Sequence, residues 1–315
     1  MKISVIIPIK NRAHLIVETL ESVLTQSLPP IEIIIVDDES TDNLTEVLQP
    51  YMHKIILLKS KGHGPGAARN TGIEIARGEA IQFFDSDDIM SPNKLEVQAE
   101  QLSTNIEKGC VIGPFVTARK EPQGWVQTDV VMQYYPLPNT PLSDIVAQGW
   151  CSITQACLFS KALVDQVGLW REDVMTHEDK EYWSRVALIT PFPLHENKSL
   201  TIYRQHEYQI TDKYTKEIER TQNGIAIFSD ILKRDKKRMS LLSKYVLRGT
   251  ITNYKKYCKQ YQIHYPLSFA DHLAGFISKA YSKYGRMKTG TDWQPLHGIS
   301  SDKVMFEKYF NTSLN

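Results

Sequence analysis

Four short apolar runs near the N-terminus, separated by segments of helical periodicity, constrain the fold of this chain most strongly. The runs are almost wholly apolar, which is typical of parallel strands that are buried on both faces of a sheet. They cover residues 3–8, 31–36, 55–58 and 80–84. The segments between them place apolar side chains on one helical face. Strands that alternate with helices predict an α/β fold, Rossmann-like, with a mixed, mostly parallel sheet and helices on both faces.

The fourth run leads directly into an acidic motif, Asp85-Ser86-Asp87-Asp88, and the second run ends in Asp37-Asp38. Both motifs follow the carboxyl end of a strand, where open α/β sheets bind their ligands. Three carboxylates this close repel one another unless a cation is present, and a hard divalent ion with oxygen ligands would offset that repulsion. A solvated acidic turn is the alternative, and the motif alone does not decide between the two.

Two polar residues are expected to cap helices. Asn11 precedes the helical segment after the first run, and Ser91 precedes a segment that begins with Pro92. Asparagine and serine are favoured N-cap residues, and proline is favoured in a first helical turn.

A glycine-rich segment, residues 61–72, follows the third run and leads into a helix that is expected to begin near Gly66. A dinucleotide-binding loop fits poorly, because the spacing is G-x-G-x-G and the segment does not follow the first strand. Arg69, one turn into this helix, is the better candidate for a ligand contact, since a fixed guanidinium can meet a base edge or a phosphate. A surface salt bridge is the alternative.

The middle of the chain adds further candidates. Residues 110–159 alternate apolar and polar segments, which predicts more strands, some of them antiparallel. Glu178 and Asp179 are expected in the first turn of a helix, where the helix dipole also favours acids. Residues 200–206 are expected to form a strand ending in His206, and a lone histidine is more often structural than a ligand.

Six short motifs follow one another between residues 3 and 210. They are Pro8-x-x-Asn11, Val36-Asp37-Asp38-Glu39-Ser40-Thr41-Asp42, Gly66-Ala67-Ala68-Arg69-Asn70, Phe84-Asp85-Ser86-Asp87-Asp88, His177-Glu178-Asp179 and Tyr203-Arg204-Gln205-His206. In this order they resemble the motifs of family 2 glycosyltransferases, which have a GT-A fold. The resemblance implies a metal-dependent, inverting transfer of one sugar from a nucleotide-diphosphate sugar, with a UDP-sugar favoured, to an acceptor hydroxyl. It also implies a hexosyltransferase of bacterial surface polysaccharide or glycoconjugate synthesis.

The resemblance assigns the donor-binding residues. The set is Pro8, Asn11, Asp38, Arg69, Asp85 and Ser86. Asp38 would read the nucleotide base, and Arg69 would support the base and the diphosphate. Glu39 departs from the family pattern, since a glycine is frequent at its position.

The resemblance also assigns the metal ligands and the catalytic residues. Asp85, Asp87 and His206 would hold Mn²⁺ or Mg²⁺, which neutralises the charge that grows on the departing diphosphate. Asp179 would be the catalytic base that deprotonates the acceptor, and Glu178 would orient the acceptor or the base. The Q-x-x-R-W motif and the membrane helices of processive polysaccharide synthases are absent, which favours transfer of a single residue.

Three other functions fit the sequence less well. A nucleotidyltransferase would typically carry a glycine-rich loop with Arg or Lys directly after the first strand, where this chain has Lys10-Asn11-Arg12. A haloacid-type phosphatase would need an aspartate nucleophile there. A non-catalytic sugar-nucleotide-binding protein would be expected to lack the base or the metal ligands, and candidates for both are present.

The charge of the chain is divided unevenly. Residues 1–210 hold 18 Lys and Arg against 27 Asp and Glu, a net −9, and residues 211–315 hold 19 against 9, a net +10. Two functional parts are therefore expected: a catalytic domain over 1–210 and a basic, tyrosine-rich helical region over 211–315. The expected partners are the donor, a lipid-linked or glycan acceptor and an anionic membrane surface, but no nucleic acid.

Two features of the basic region bear on membrane contact. Residues 233–238 form a basic run, and a helix over 266–284 carries an apolar stripe. The stripe comprises Phe269, Leu273, Phe276, Ile277, Ala280 and Tyr284. Packing against the catalytic domain is favoured for such a stripe, and an interfacial membrane helix is the alternative.

No apolar run approaches the length of a membrane span, and the N-terminus is too short and too β-branched for a signal peptide. A cytoplasmic protein, peripheral at the inner face of the cell membrane, is therefore expected. The four cysteines show no C-x-x-C spacing, which predicts reduced, mostly buried thiols and no zinc site. They are Cys110, Cys151, Cys157 and Cys258.

Overall fold

The computed structural model describes residues 1–122, 124–132, 142–146, 152–174, 176–206 and 217–289. The strands are β1 Ile3–Ile9, β2 Glu32–Asp37, β3 Ile56–Lys59, β4 Ala80–Phe83, β5 Ile89–Met90, β6 Cys110–Ile112, β7 Phe115–Glu121, β8 Gly124–Met132, β9 Cys157–Ser160, β10 Leu194–His195 and β11 Thr201–Gln205. The helices are α1 Ala13–Leu24, α2 Leu44–Leu48, α3 Gly64–Ile75, α4 Lys94–Thr104, α5 Leu142–Val146, α6 Lys161–Val167, α7 Glu178–Ile189, α8 Glu217–Asp235, α9 Leu241–Cys258 and α10 Phe269–Thr289.

The larger sheet has seven strands in the order β10-β6-β9-β4-β1-β2-β3. Strands β4, β1, β2 and β3 are parallel, and β9 runs antiparallel to β4 and β6. This arrangement confirms the predicted mixed, mostly parallel sheet. The carboxyl ends of β1, β2 and β4 meet at one edge, so the polar residues that follow them are brought together.

Side chains of β1 alternate between two hydrophobic layers. Ile6 belongs to a core that also contains residues of α3, α6 and α7. Val5 and Ile7 belong to a second core with residues of α1, α2 and α4. All three side chains are fully buried. Helices therefore cover both faces of the sheet, as the continuous apolar runs predict.

The two predicted helix caps are wrong. Asn11 has a positive φ of 53° and lies outside α1, and its Oδ1 accepts a hydrogen bond from the Thr41 backbone N–H at 2.7 Å. The side-chain oxygen of Ser91 accepts from the Leu200 backbone N–H at 2.9 Å, and α4 begins only after Asn93. Both side chains bind distant loops, and tertiary partners therefore replace the local cap.

A second, four-stranded sheet has the order β5-β11-β7-β8. The apolar segment 111–116 is therefore not one strand, because it divides between β6 in the large sheet and β7 in the small one. β11 pairs with β5, which directly follows the acidic motif. Arg204 of β11 is fully buried and donates to the Asp87 carbonyl and to the Leu15 carbonyl. These contacts fix the end of β11 beside the acidic motif.

The described C-terminal helices share a hydrophobic cluster. The cluster joins residues of α8 and α9 to Val174 and to Leu188 of α7. Two ion pairs bind α8 to the preceding part of the chain: Arg234 with Glu181 at 3.0 Å and Arg171 with Asp230 at 2.7 Å. The boundary between the two predicted domains, residues 210 and 211, lies outside the described residues and stays a prediction.

α10 packs on α9 through small side chains. A Cβ added to Gly249 would lie 2.4 Å from Ser278 Cβ, which shows how closely the two helices approach. The larger apolar side chains of α10 face outward instead: Phe269 is 84% exposed and Phe276 72%. The expected packing of this stripe against the catalytic domain is therefore wrong for these two residues. The side chain of Tyr284 lies outside the described part.

Cys110, Cys157 and Cys258 are buried free thiols, as predicted, and Cys151 lies outside the described residues. In the part of the chain that the structure describes, no helix combines the length and apolarity required of a membrane span.

Candidate active site

A cavity of about 300 Å³ opens where β1, β2 and β4 end. Five of the six residues predicted to bind the donor line it: Pro8, Asp38, Arg69, Asp85 and Ser86. The cavity, named the donor cavity after these predicted donor-binding residues, is also lined by Asp87, Glu178 and the basic residues Lys10 and Arg12. The parallel sheet brings these residues together because they lie at or just after the carboxyl ends of strands or in the first two turns of helices.

Asp38 lines the donor cavity and has one buried carboxylate oxygen without a hydrogen-bond partner among the described residues. The residue is 5% exposed, and its Oδ2 accepts from the Gly64 backbone N–H at 3.1 Å and from Lys10 Nζ at 3.3 Å. Gly64 has a positive φ of 87°, a conformation that favours glycine. Among the described residues, Asp38 Oδ1 has no hydrogen-bond partner. A buried acceptor without a partner is costly, so this atom is suited to a ligand N–H group.

Arg69 is held at the floor of the cavity by charge and by stacking. Its Nη2 donates to Asp85 Oδ1 at 2.9 Å, and its Nη1 lies 3.6 Å from Glu178 Oε1. The guanidinium carbon lies 4.5 Å from the ring centroid of Trp170, which stacks on Tyr182 at 3.9 Å. Burial would lower the pKa of Arg69, but the two carboxylates outweigh it and raise that pKa. The alternative of a surface salt bridge is wrong, because Arg69 is 5% exposed.

Asp87 and His206 form the metal-binding candidate. His206 Nε2 lies 3.0 Å from Asp87 Oδ2, and Arg12 Nε lies 3.5 Å from the same oxygen. Burial would raise the pKa of Asp87, but the His206 hydrogen bond and the Arg12 charge lower it overall, which keeps the carboxylate ionised. Within the described ranges, no three His, Cys, Asp or Glu side chains form a ready-made metal cluster. An ionised carboxylate beside an imidazole nonetheless fits a divalent ion such as Mn²⁺.

Asp88, the third acid of the motif, has a different position from Asp87. It is fully buried, and its Oδ1 accepts from the Arg204 backbone N–H at 3.0 Å, while its Oδ2 accepts from Gln155 Nε2. Burial and the charges of Asp87 and Asp85 raise the pKa of Asp88 well above its usual value. Asp88 is thus not solvated, whereas Asp85 and Asp87 are partly exposed. Asp88 anchors β11, which carries His206 to Asp87.

Glu178 and Asp179 open α7, as the sequence predicts, and they line a second cavity of about 280 Å³. This acceptor-side cavity shares four residues with the donor cavity: Pro65, Arg69, Asp85 and Glu178. Burial and the neighbouring Asp179 raise the pKa of Glu178 to about 7. Asp179 Oδ1 accepts from the Lys180 backbone N–H at 2.7 Å.

Two left-handed residues shape the loops at the donor cavity. Asn11 has φ of 53° and Glu39 of 60°, a region that favours glycine and, less strongly, asparagine. This conformation explains why the family pattern often has glycine at the position of Glu39. Asn11 connects the two loops through Thr41, and its predicted role in donor binding stays a prediction.

Sequence reasoning missed several residues of the site. Lys10 and Arg12 directly follow β1, and basic residues at a strand end beside carboxylates were the available signal. Trp170 had no such signal, because its contact with Arg69 spans about a hundred residues of chain. The role of Asp88 had no sequence signal either, because its hydrogen bond to Arg204 depends on where β11 lies in the fold.

The mixed seven-stranded sheet with helices on both faces is the architecture of the GT-A fold. Solved structures share this architecture. S. aureus TarS 1–349 in complex with UDP-GlcNAc gives a TM-score of 0.60 at 18% identity, over 93% of each chain. The mannosyltransferase PcManGT from Pyrobaculum calidifontis, in complex with GDP-Man and Mn²⁺, gives 0.53 at 18% identity over 92% of this chain and 83% of that one. These low identities establish the fold alone.

The chain belongs to Glycosyl transferase family 2, whose profile matches residues 4–166, just over half of its length. An uncharacterised glycosyltransferase of Rickettsia typhi is 26% identical over 287 residues, 88% of this chain and 87% of that protein. The poly(ribitol-phosphate) beta-glucosyltransferase of Bacillus spizizenii is 44% identical over 102 residues, 30% of this chain and 16% of that protein.

Several relatives are much longer than the shared segment. The chain is 42% identical over 112 residues to a Rickettsia felis glycosyltransferase and spans 18% of its length. The predicted family, fold class and glycosyltransferase class are confirmed, and the hexosyltransferase type stays a prediction.

Proposed function

We propose that this glycosyltransferase moves one sugar, with inversion, from a nucleotide-diphosphate sugar to an acceptor hydroxyl. One observation carries the proposal: the donor cavity and the acceptor-side cavity meet at Arg69, Asp85 and Glu178. Asp87 lines the donor cavity and His206 contacts Asp87 at 3.0 Å, which supports a role for both at the diphosphate. Of the two cavities, Asp179 lines the acceptor-side cavity alone. This arrangement separates the leaving group from the base, as a single displacement requires.

On the donor side, Asp38 Oδ1 would accept a hydrogen bond from the nucleotide base, and Arg69 would approach the sugar diphosphate. Arg69 Nε has no hydrogen-bond partner among the described residues, which leaves it available for a ligand oxygen. A UDP-sugar is the favoured donor. TarS has been solved with UDP and with UDP-GlcNAc, and PcManGT with GDP-Man.

Asp85, Asp87 and His206 would hold Mn²⁺ or Mg²⁺. Asp87 and His206 are the stronger candidates, because Asp85 is already bound to Arg69. When bound, the ion would supply positive charge to the departing diphosphate. Arg12, 3.5 Å from Asp87, would add a fixed positive charge nearby.

On the acceptor side, Asp179 would take the proton from the acceptor hydroxyl. The acceptor oxygen then bonds to the anomeric carbon while that carbon's bond to the diphosphate oxygen breaks. The electron pair leaves with the diphosphate, and the configuration inverts. Glu178, with its pKa near 7 and Arg69 beside it, would orient the acceptor.

The setting proposed is bacterial surface polysaccharide or glycoconjugate synthesis in the cytoplasm, with residues 1–210 as the catalytic domain. The name of the Bacillus spizizenii relative supports this class of product. Residues 211–315 would hold the enzyme at an anionic membrane that presents a lipid-linked or glycan acceptor. Five basic residues of the run are exposed, and Arg234 is the one among them that pairs with Glu181 and Asp235. The others are Lys233, Lys236, Lys237 and Arg238.

The proposal is tested by donor binding in the presence of metal. A screen of nucleotide sugars with Mn²⁺ should raise the melting temperature for one donor, because a ligand that binds only the folded state stabilises it. Asp87→Ala should abolish both this metal-dependent shift and transfer. Glu46→Ala, which removes an exposed carboxylate from α2, is the matched control and should behave as the unmodified protein.

Undiminished Mn²⁺-dependent binding in folded Asp87→Ala protein would falsify the metal assignment. Formation of a nucleotide-sugar from a nucleoside triphosphate and a sugar phosphate would identify a nucleotidyltransferase instead. Donor binding without turnover on any acceptor would favour a non-catalytic sugar-nucleotide-binding protein.

A further inference from the structure

We propose that the acceptor-side cavity binds a phosphate group of the acceptor through Lys180, with Arg220 beside it. This inference rests on the proposed function and names the class of acceptor: a hydroxyl compound that carries phosphate close to the reacting hydroxyl. Lys180 lies one residue after the proposed base, and both cations line the same cavity as Asp179.

The charges of the acceptor-side cavity favour an anion. Its acids at the junction are already bound by a cation, since Asp85 lies 2.9 Å and Glu178 3.6 Å from the Arg69 guanidinium. Of the described lining residues that the donor cavity does not share, Asp179 is the sole acid, whereas Lys180 and Arg220 are both basic. The part of the cavity away from the donor therefore has an excess of positive charge.

Lys180 has no acidic partner among the described residues: none of their carboxylates lies within 4.0 Å of its Nζ. The ammonium lies 5.9 Å from the ring centroid of Phe228, a contact that leaves its hydrogen-bond donors available. Burial, followed by the charge of Lys180, lowers the pKa of His177 to about 4, and Arg220 contributes in the same direction. His177 is thus neutral at pH 7, and its ring carries no positive charge that would repel Lys180 or Arg220.

Two buried polar atoms of the same cavity also lack partners. Thr154 is 4% exposed, and its hydroxyl has no hydrogen-bond partner within the described part of the chain. The Nδ1 atom of His177 is also buried and has no hydrogen-bond partner among the described residues. Buried polar groups are normally satisfied, so these atoms indicate a polar ligand rather than an apolar one. A polyol or sugar that bears phosphate supplies both hydroxyls and a negative charge.

The phosphate could belong to a phosphodiester of a polyol-phosphate polymer or to the diphosphate of a lipid-linked sugar. Both present the same oxygens to Lys180, and a lysine ammonium binds phosphate as a compact point charge. Transfer assays with a glycerol-phosphate oligomer and with a lipid-diphosphate sugar, each paired with its dephosphorylated counterpart, distinguish the two sources.

Binding of a soluble probe tests the inference directly. Glycerol 3-phosphate and glycerol are titrated separately into the full chain with UDP and Mn²⁺ present. The phosphate probe should bind at least about tenfold more tightly, the difference expected for one charge-assisted hydrogen bond. Lys180→Gln should remove most of that preference, and Lys180→Arg, which keeps the charge, should retain it. Lys54→Gln, at an exposed site outside both cavities, is the charge-matched control and should retain it fully.

A protein without preference for the phosphate probe, or a Lys180→Gln variant with the full preference, overturns the inference. Either result leaves the proposed function standing if the Mn²⁺-dependent donor shift is present. Absence of that shift counts against the proposed function itself, so the two failures are distinguishable.

Discussion

Asp179 lies in the first turn of α7, where its Oδ1 accepts from the Lys180 backbone N–H at 2.7 Å. A carboxylate at this position stabilises the helix N-terminus and can also take a proton from a ligand. The two roles differ in what a mutation would change. Loss of a cap lowers stability, whereas loss of a base lowers the rate of the chemical step.

We expect Asp179→Asn to retain donor binding and to lower kcat by ~10²-fold or more, the usual range for loss of a general base. The amide oxygen can still accept from the helix N-terminus, and stability should therefore change little. Donor binding by calorimetry and turnover by release of UDP check the two parts. Ser184→Ala, further along α7, provides a control for helix substitutions.

Normal turnover of Asp179→Asn would make Asp179 a helix cap only, and Glu178 would become the candidate base. Its pKa of about 7 would suit that role. A product with retained anomeric configuration would contradict a single displacement whichever residue is the base.

At the scale of elements, α4 is joined to β4 by a buried polar contact. Lys94 of α4 is fully buried, and its Nζ donates to Gln82 Oε1 at 2.5 Å and to Gln98 Oε1 at 2.8 Å. Burial lowers the pKa of Lys94 to about 8. The neutral glutamine oxygens satisfy its hydrogen bonds but do not fully replace its hydration.

The lowered pKa predicts a pH dependence of stability. Between pH 8 and 10.5 the unfolded state holds a proton on Lys94 that the folded state has released. The free energy of unfolding therefore rises with pH across this window. At 1.36 kcal/mol per pKa unit, the contribution of Lys94 should reach about 3 kcal/mol. Urea unfolding of the unmodified protein and of Lys94→Met, at pH 7 and at pH 10.5, measures it.

The comparison with Lys94→Met cancels the other groups that titrate in the same window. Lys54→Met, at an exposed position, should show no such pH-dependent difference. A constant difference in unfolding free energy between the protein and Lys94→Met would contradict a lowered pKa.

At the scale of the whole molecule, the basic run 233–238 contains one arginine that forms ion pairs within the fold and four other exposed basic residues. Arg234 pairs with Glu181 at 3.0 Å and with Asp235 at 2.7 Å, and it thereby holds α8 to α7. Lys233, Lys236, Lys237 and Arg238 are exposed. Membrane attraction should therefore depend on these four residues and not on Arg234.

We expect replacement of Lys233, Lys236, Lys237 and Arg238 by glutamine to release the protein from phosphatidylserine vesicles. At ~1 kcal/mol for each basic residue near an anionic surface, the loss is about 4 kcal/mol at most and is weakened by salt. Co-sedimentation measures it. A control with Lys54, Lys59, Lys120 and Lys198 replaced by glutamine, all exposed elsewhere, should remain bound.

Equal binding to neutral and anionic vesicles, or equal binding of the two fourfold variants, would count against the membrane surface. The C-terminal helices would then serve only to support α7 and the acceptor-side cavity. The exposed Phe269 and Phe276 would be left without an explanation.

Much of the fold and part of the candidate site could be predicted from local patterns. The apolar runs and their helical partners indicated the parallel sheet. The same sheet geometry implied that the residues after β1, β2 and β4, such as Asp38 and Asp85, would meet at one edge. The position of Glu178 and Asp179 at the start of a helix could also be predicted from the local sequence. These features depend on short stretches of chain, where periodicity and strand ends are visible in the sequence.

Other features depend on which distant segments pack together. Trp170 stacks on Arg69, Asp88 anchors β11, and Asn11 binds Thr41 instead of capping α1. The sequence by itself determined which residues lie at strand ends and helix starts, because backbone periodicity sets those positions. Only the tertiary structure decided which side chains are already bound and which, like Lys180, lack an acidic partner among the described residues. Burial and pairing across long separations depend on the packing of whole elements.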